Sequence, residues 1–420
     1  MTAKPEVLSP AGDFTCLQAA IDAGADAVYF GLGSFNMRAR SGVNFKTRDL
    51  PEIARRCGRS VKRYLALNAI MFEGETGEVD GLIAAAKPYV DAFIVADWGV
   101  ISLCRRHGVR FHVSTQMSVS NSAAVEFLAA SGAARVVLAR ECTLAEVAEI
   151  VRRTGMEIEC FVHGAQCVAE SGRCFMSHEA FGKSACRGEC TQPCRRRFLV
   201  KALDFYEDGN GEPVHPSDTA FVVEPRTVLS ARDLCSLGFL DKLAAAGVAS
   251  FKIEGRARNA NYVKTVTAAY RRAVDAVAAG VYTPGLAAEL TAEVKRVFHR
   301  EFSAGLYFGR PGVDQFADTE NSLAAEVKRH IGVVIDYFTV AGVAQVKVQD
   351  HPLAAGDPIQ IHGPTTGVLE LTAGELRRDD EIVASCGKGG WVTLKTPRCR
   401  VGDKVFFMER RAVQQSSLLI

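Results

Sequence analysis

The sequence predicts an α/β fold, a TIM-like (β/α)8 barrel followed by a small C-terminal β-barrel domain. Three observations carry this expectation. Across residues 1–310 short apolar runs alternate with helical stretches, the rotation that builds a parallel sheet. Eight such units over this length fit a closed barrel better than an open sheet. After Gly309-Arg310-Pro311-Gly312 the texture changes to short alternating runs, punctuated by Gly356-Asp357 and Gly402-Asp403. The expected division is a barrel over 1–310 with a cysteine-rich insertion at 159–235, a linker over 311–329, and the small β-barrel over 330–420.

The elements follow in order. Strands are expected at 6–9, 27–30, 64–68, 92–95, 111–114, 135–138, 158–162 and 250–253. Helices are expected over 14–23, over 230–240 with Ser230 as a candidate N-cap, and over 260–279, the last closing the outer layer. The irregular stretch 198–228 carries Asp208-Gly209-Asn210-Gly211, a hairpin-tip signal. In the terminal domain, strands are expected at 331–336, 342–348, 358–361 and 404–408. The Gly31-Leu32-Gly33 turn is too short for a dinucleotide fingerprint.

A barrel places its chemistry on the C-terminal rim, just after the strands. Polar residues stand there after each strand: Asn36, Arg38 and Arg40 after the second, Asn68 after the third, Asp97 after the fourth. Ser114, Thr115, Gln116 and Asn121 follow the fifth, Arg140 and Glu141 the sixth, His163 the seventh, Glu254 and Arg256 the eighth. Any one of them alone is most simply a solvated loop residue; one end of a barrel would gather them all. Arg38, Asn68, Gln116, Arg140, Glu254 and Arg256 are the expected catalytic and substrate-holding set.

Composition excludes several classes. The formal charge of +2 gives no global basicity to announce nucleic acid. No apolar run is long enough for a membrane span, and no signal segment opens the chain. An odd count of 13 cysteines without a secretion signal suits a reducing cytoplasm.

Cys160, Cys167, Cys174, Cys186, Cys190 and Cys194 lie close together in sequence, among Gly, Arg, Ser, Glu and Pro rather than in an apolar core. Six residues separate Cys167 from Cys174, fifteen separate Cys174 from Cys190, and three separate Cys190 from Cys194. Tight C-x2-C zinc knuckles are absent. The irregular spacing suits an iron–sulfur cluster, with zinc and a redox or disulfide role left open. Glycines 164, 172, 182 and 188 would let the backbone approach a bulky cofactor.

The run Glu159-x-Phe161-x-x-Gly164-Ala165-x-Cys167, then Gly172-x-Cys174-x-Met176-Ser177, resembles the signature of peptidase family U32. Gln166 stands where that pattern has an aliphatic residue. Gly188-Glu189-Cys190-Thr191-Gln192-Pro193-Cys194-Arg195 and Lys252-Ile253-Glu254-Gly255-Arg256 resemble it too, and the likeness runs nearly the whole chain. The resemblance implies an iron–sulfur protein that helps to hydroxylate RNA bases or quinone precursors, despite the peptidase name. It implies a [4Fe–4S] cluster on Cys167, Cys174, Cys190 and Cys194, with Cys235 as the reserve ligand and Cys186 a spectator.

In domain order the chain resembles the branch needed for 5-hydroxyuridine at the tRNA wobble position, associated with prephenate as co-substrate. Arg38, Arg140 and Arg256 would then clamp a small dicarboxylate. Arg195, Arg196 and Arg197 would bind RNA phosphate, and the terminal domain would add RNA affinity. Three alternatives remain: hydroxylation of cytidine in 23S rRNA, a U32-type collagenase-like peptidase, and a factor for quinone-precursor hydroxylation. For the peptidase no H-E-x-x-H and no G-x-S-x-G occurs, and only His163 with Cys167 offers a nucleophile–base pair. Quinone-type relatives usually lack a terminal barrel.

Overall fold

The protein is described from a computed structural model covering residues 4–39, 44–198, 206–207, 213–214, 229–309, 315–317, 319 and 321–411. Eight strands form the barrel: β1 (Glu6–Pro10), β2 (Ala27–Gly31), β3 (Lys62–Leu67), β4 (Ala92–Val95), β5 (Phe111–Val113), β6 (Arg135–Val137), β7 (Ile158–Gly164) and β8 (Ser250–Ile253). They pair in parallel in chain order, and β8 pairs with both β7 and β1, which closes the ring. These runs are buried on both faces because one face meets the interior and the other the helices. A side-chain cap starts most of the longer barrel helices. Asp13 accepts from Cys16 N at 2.7 Å to open the helix Phe14–Asp22, and Asn259 accepts from Tyr262 N at 3.0 Å to open Ala260–Ala278.

The barrel interior is half apolar and half ionic. Leu8, Ala27, Tyr29, Tyr64, Ala92 and Ile94 form the apolar half. Glu6, Arg135, Glu159 and Lys252 form the other, all buried. Arg135 Nη1 reaches Glu6 Oε1 at 2.6 Å and Glu159 Oε2 at 3.2 Å, and Lys252 Nζ reaches Glu159 Oε1 at 2.7 Å. Burial alone would raise the carboxyls of Glu6 and Glu159, but the adjacent cations hold both below the ordinary carboxylate value. Removing one member of such a network costs about 3–5 kcal/mol, because its partner stays buried and uncompensated.

The segment over 230–240 corrects the expected helix. Asp233–Cys235 is a strand, followed by a short 3-10 turn, Leu237–Phe239, and a helix, Leu240–Ala245. It pairs antiparallel with β7 and parallel with Phe302–Ser303. Tertiary pairing at the open end of β7 outweighs local propensity there. Ser230 is buried and accepts from Arg195 Nη1 at 3.1 Å, so it caps nothing. In the insertion, Tyr206–Glu207 pairs antiparallel with Pro213–Val214, while Asp208 to Gly211 lie outside the described residues. So do Arg40 and Arg310 to Gly312.

The C-terminal part is an antiparallel sheet of eight strands. Its order is Gly367–Thr372, Pro358–Gly363, Lys404–Arg410, Glu326–Phe338, Val343–Val348, Trp391–Lys395, Leu376–Arg378 and Glu381–Val383. The strand Glu326–Phe338 begins inside the stretch expected to be linker. Its charged opening residues pair with the strand Lys404–Arg410 without forming an apolar run. The sheet docks on the helices Phe14–Asp22 and Ala260–Ala278. Val368 packs into the barrel's own core, Lys264 Nζ donates to Val368 O at 3.0 Å, and Gln360 Nε2 donates to buried Asn261 Oδ1 at 2.9 Å. Gly367 sits at φ +66°, and a Cβ there would lie 2.7 Å from Asp22 Oδ2, so the contact requires glycine.

Candidate functional site

A cavity with about 1130 Å³ of open space occupies the C-terminal end of the barrel. Arg38, Asn68, Gln116, Arg140, Glu254 and Arg256 all line it. So do the thiols of Cys167, Cys174, Cys190 and Cys194. Strand ends deliver the polar set, and the cysteine-rich segment folds back over the rim to deliver the thiols.

Glu254 anchors the polar half. Arg38 Nη2 meets its Oε1 at 2.8 Å, and Arg140 Nη2 stands 3.9 Å from its Oε2. Burial would raise this carboxyl, but Arg38, Arg140 and Arg256 outweigh it and hold the group at about 2. Arg256 Nη1 donates to Asn36 Oδ1 at 3.0 Å, and burial lowers its pKa to about 10. Arg140 Nη1 donates to Ala165 O at 2.6 Å and its Cζ lies 4.0 Å from the Phe161 ring centroid, yet its buried Nε has no partner. One carboxylate thus serves three guanidiniums, and the cavity is left with an excess of positive charge. On the opposite wall Asn68 Nδ2 donates to Ser114 Oγ at 3.2 Å and to Gln116 Oε1 at 3.0 Å, fixing a patch of neutral polar groups.

Among the cysteines, burial raises the Cys194 thiol first, and the nearby Cys167, Cys190 and Cys174 raise it further. These four therefore gather around one space. Buried Ser177 braces Cys190: its Oγ lies 3.8 Å from Cys190 Sγ and accepts from Thr191 N at 3.1 Å. All four thiols are free, and Cys190 and Cys194 are each followed directly by two polar residues. Among the described residues no three of His, Cys, Asp or Glu close round a single metal ion. Four thiols around a common space suit a multi-iron cluster, and a four-thiolate zinc site would use the same donors.

Cys235 stands apart. It is buried, its thiol accepts from Tyr270 Oη at 3.9 Å, and it lines no part of this cavity. Cys186 is tied to the rim, where its carbonyl accepts from Ile70 N at 3.3 Å. A Cβ on Gly188 would lie 2.4 Å from Asn36 O, and one on Gly172 would lie 2.8 Å from Gln116 Cγ. Those two glycines bring the cysteine segment against the barrel loops, and nothing lies within 4 Å of such an atom on Gly182.

Other rim residues turn out to be structural. Asp97 accepts from Gly99 N at 2.8 Å and caps the helix Trp98–His107; Asn121 accepts from Ala124 N at 2.9 Å and caps Ser122–Ala130. His163 is buried among Tyr262, Tyr270 and Phe302, and burial lowers its pKa to about 3. It does not line the cavity that holds Cys167. The arginine run divides. Arg195 is buried, donating to Ser230 Oγ, Ala231 O and Gln166 O, so it is not available to an external phosphate. Arg196 and Arg197 are exposed, and Arg196 Cζ lies 4.7 Å from the Phe181 ring centroid.

Lys252 and Tyr29 line the cavity and were not singled out as site residues from the sequence. The signal for Lys252 was present: a lysine inside an apolar strand, in step with Ser250, must face the barrel interior.

The profile of peptidase family U32 matches residues 12–316. The chain belongs to this family. Over 420 aligned residues it is 36% identical to a collagenase of Porphyromonas gingivalis, covering 97% of this chain and 98% of that protein. It is 32% identical to the tRNA hydroxylation protein P1 of Bacillus subtilis, covering 87% of this chain and 85% of that one. It is 33% identical to the 23S rRNA 5-hydroxycytidine C2501 synthase of Escherichia coli, covering 85% of this chain and 52% of that one. No described helix is long and apolar enough to cross a membrane.

Proposed function

We propose that this U32 protein takes part in hydroxylating an RNA base, with wobble uridine of tRNA converted to 5-hydroxyuridine as the leading substrate and product. One observation carries the reading: four cysteines and an arginine-rich polar set line the same cavity at the active end of the barrel. Cys167, Cys174, Cys190 and Cys194 would hold a [4Fe–4S] cluster, which when bound supplies electron transfer beside the substrate. Arg140 and Arg256, whose charges Glu254 only partly balances, would hold a small dicarboxylate co-substrate such as prephenate. Asn68 and Gln116 offer amide groups to the edge of a base, and exposed Arg196 and Arg197 offer charge to the RNA backbone.

The names of the Bacillus subtilis and Escherichia coli relatives support RNA hydroxylation. The collagenase name of another relative favours proteolysis, but the arrangement speaks against it here. His163 is buried against tyrosines, and no hydrogen bond joins it to Cys167 among the described residues.

Nucleoside mass spectrometry of tRNA and rRNA from cells lacking the gene tests the reading. Loss of 5-hydroxyuridine from tRNA is the expected result. Loss of hydroxycytidine from 23S rRNA would move the target to the ribosome, and an unchanged profile in both would defeat RNA hydroxylation.

A further inference from the structure

On the other side of the Arg38–Glu254 pair lies a second cavity, with about 1020 Å³ of open space. It shares Arg38, Ala165, Cys190, Gln192 and Glu254 with the first, and the charged residues it adds are Lys183, Glu189 and Arg258. Arg258 is the notable group. Its guanidinium Cζ lies 3.5 Å from the Phe298 ring centroid and 5.8 Å from that of Tyr262. Stacking against a ring occupies the face of a guanidinium and leaves its N–H edges for acceptors in plane.

Those edges have no protein acceptor. Among the described residues no carboxylate lies within ion-pair distance of Arg258, and its guanidinium makes no hydrogen bond. The two acids near enough to act on it are engaged elsewhere. Asp233 holds Arg300 at 3.4 Å, and Glu254 holds Arg38 at 2.8 Å. Burial lowers the pKa of Arg258, and the opposing influence of Tyr262, Asp233 and Glu254 does not restore it. Lys183, exposed on the cysteine segment, likewise has no carboxylate within ion-pair distance among the described residues. Arg258 is half-buried, and its unused fork opens on the cavity, where a planar oxyanion can meet it in plane.

We propose that the second cavity is an oxyanion subsite, in which the N–H edge of Arg258 grips a carboxylate or phosphate and Lys183 adds charge beside it. The geometry stands without the hydroxylation reading. Only the choice of source, a free organic acid or the phosphodiester of a bound RNA, rests on that reading. The shared wall of Arg38, Glu254 and Cys190 would set such an anion next to the thiol-lined cavity without entering it.

Calorimetric titration of the full-length protein, purified without air, tests this with three probes: inorganic phosphate, malonate and a short oligouridylate. At least one should bind, and Arg258→Gln should weaken that binding roughly tenfold or more. Arg258→Lys, which keeps the charge and loses the fork, should fall between. Binding of malonate or phosphate supports the site with a free acid as its source; binding of the oligouridylate alone supports it with the RNA backbone. No binding by any probe overturns the proposal. So does binding that survives in both Arg258 variants but is lost in Arg140→Gln, which would put the anion in the first cavity. Should Arg258→Gln fail to fold, Arg258→Lys and Lys183→Ala carry the comparison. An unchanged nucleoside profile in the deletion strain would defeat the hydroxylation reading and leave Arg258-dependent binding untouched.

Discussion

Arg38 Nη2 and Glu254 Oε1 lie 2.8 Å apart, and both residues line two cavities, so their ion pair forms part of the wall between the chambers. The carboxylate is also the only acid among the named residues of the polar half of the first cavity. Glu254→Gln leaves Arg38, Arg140 and Arg256 without it. The expected outcome is a loss of about 3 kcal/mol in urea unfolding, the lower end for breaking a buried pair. Wild-type stability from this group is fully present above its ordinary value of 4.5, declines as pH falls below it, and is gone once pH has passed through about 2. An unchanged midpoint in Glu254→Gln would show that the wall tolerates a neutral amide.

The thiols divide into those that line the cavity and those that do not. Cys194→Ser should remove most iron from protein purified without air, whereas Cys235→Ser and Cys186→Ser should retain it. The motive is that Cys194 shares its space with Cys167, Cys174 and Cys190, while Cys235 faces Tyr270. Iron kept in Cys194→Ser and lost in Cys235→Ser would transfer the fourth position to the reserve residue.

Four buried histidines, His112, His163, His299 and His362, make the fold acid-sensitive, because burial lowers each from its ordinary value. His163 and His362 are each lowered from 6.5 to about 3. The unfolded chain therefore binds protons first as pH falls. Their contribution to stability is complete above pH 6.5 and declines from there towards pH 3, at up to about 1.4 kcal/mol per pH unit for each. Melting temperatures at pH 7, 6 and 5 check the slope, and His362→Gln should flatten it.

The terminal domain is bound to the barrel by core packing. Val368→Ala should cost about 1–3 kcal/mol and should shift a single cooperative unfolding transition. Two separate transitions in the wild-type protein would contradict the shared core. Cutting the chain near Lys328 would break the strand Glu326–Phe338 and strip this face, so removal of the domain should lower stability as well as RNA affinity.

Arg195 and Arg196 are neighbours with different work. Arg196→Ala should weaken RNA binding and make its salt slope shallower by about one unit. Arg195→Ala should lower the melting temperature, because Ser230 Oγ, Ala231 O and Gln166 O lose their donor. Equal effects of the two changes on RNA binding, with no effect on melting, would erase the distinction.

Much of this was legible in the sequence. Parallel strands buried on both faces appear as short apolar runs, so all eight barrel strands could be placed and the residues after them assigned to one rim. What escaped was set by contacts distant in sequence. Asp233-Leu234-Cys235 has the local look of a helix and becomes a strand only because His163 and Gly164 offer it an edge. Asp97 and Asn121 resemble site residues until the helices they cap are seen. Arg195 looks like part of a surface run, and only the fold reveals the three acceptors that bury it. The short strands Leu376–Arg378 and Glu381–Val383 carry too few apolar side chains to announce themselves.

The most direct test of the account is the iron and acid-labile sulfide content of the full-length protein purified without air. About four of each per chain is expected, with the colour and absorption of a [4Fe–4S] cluster. Stoichiometric zinc with no sulfide, in protein never exposed to air, would contradict it.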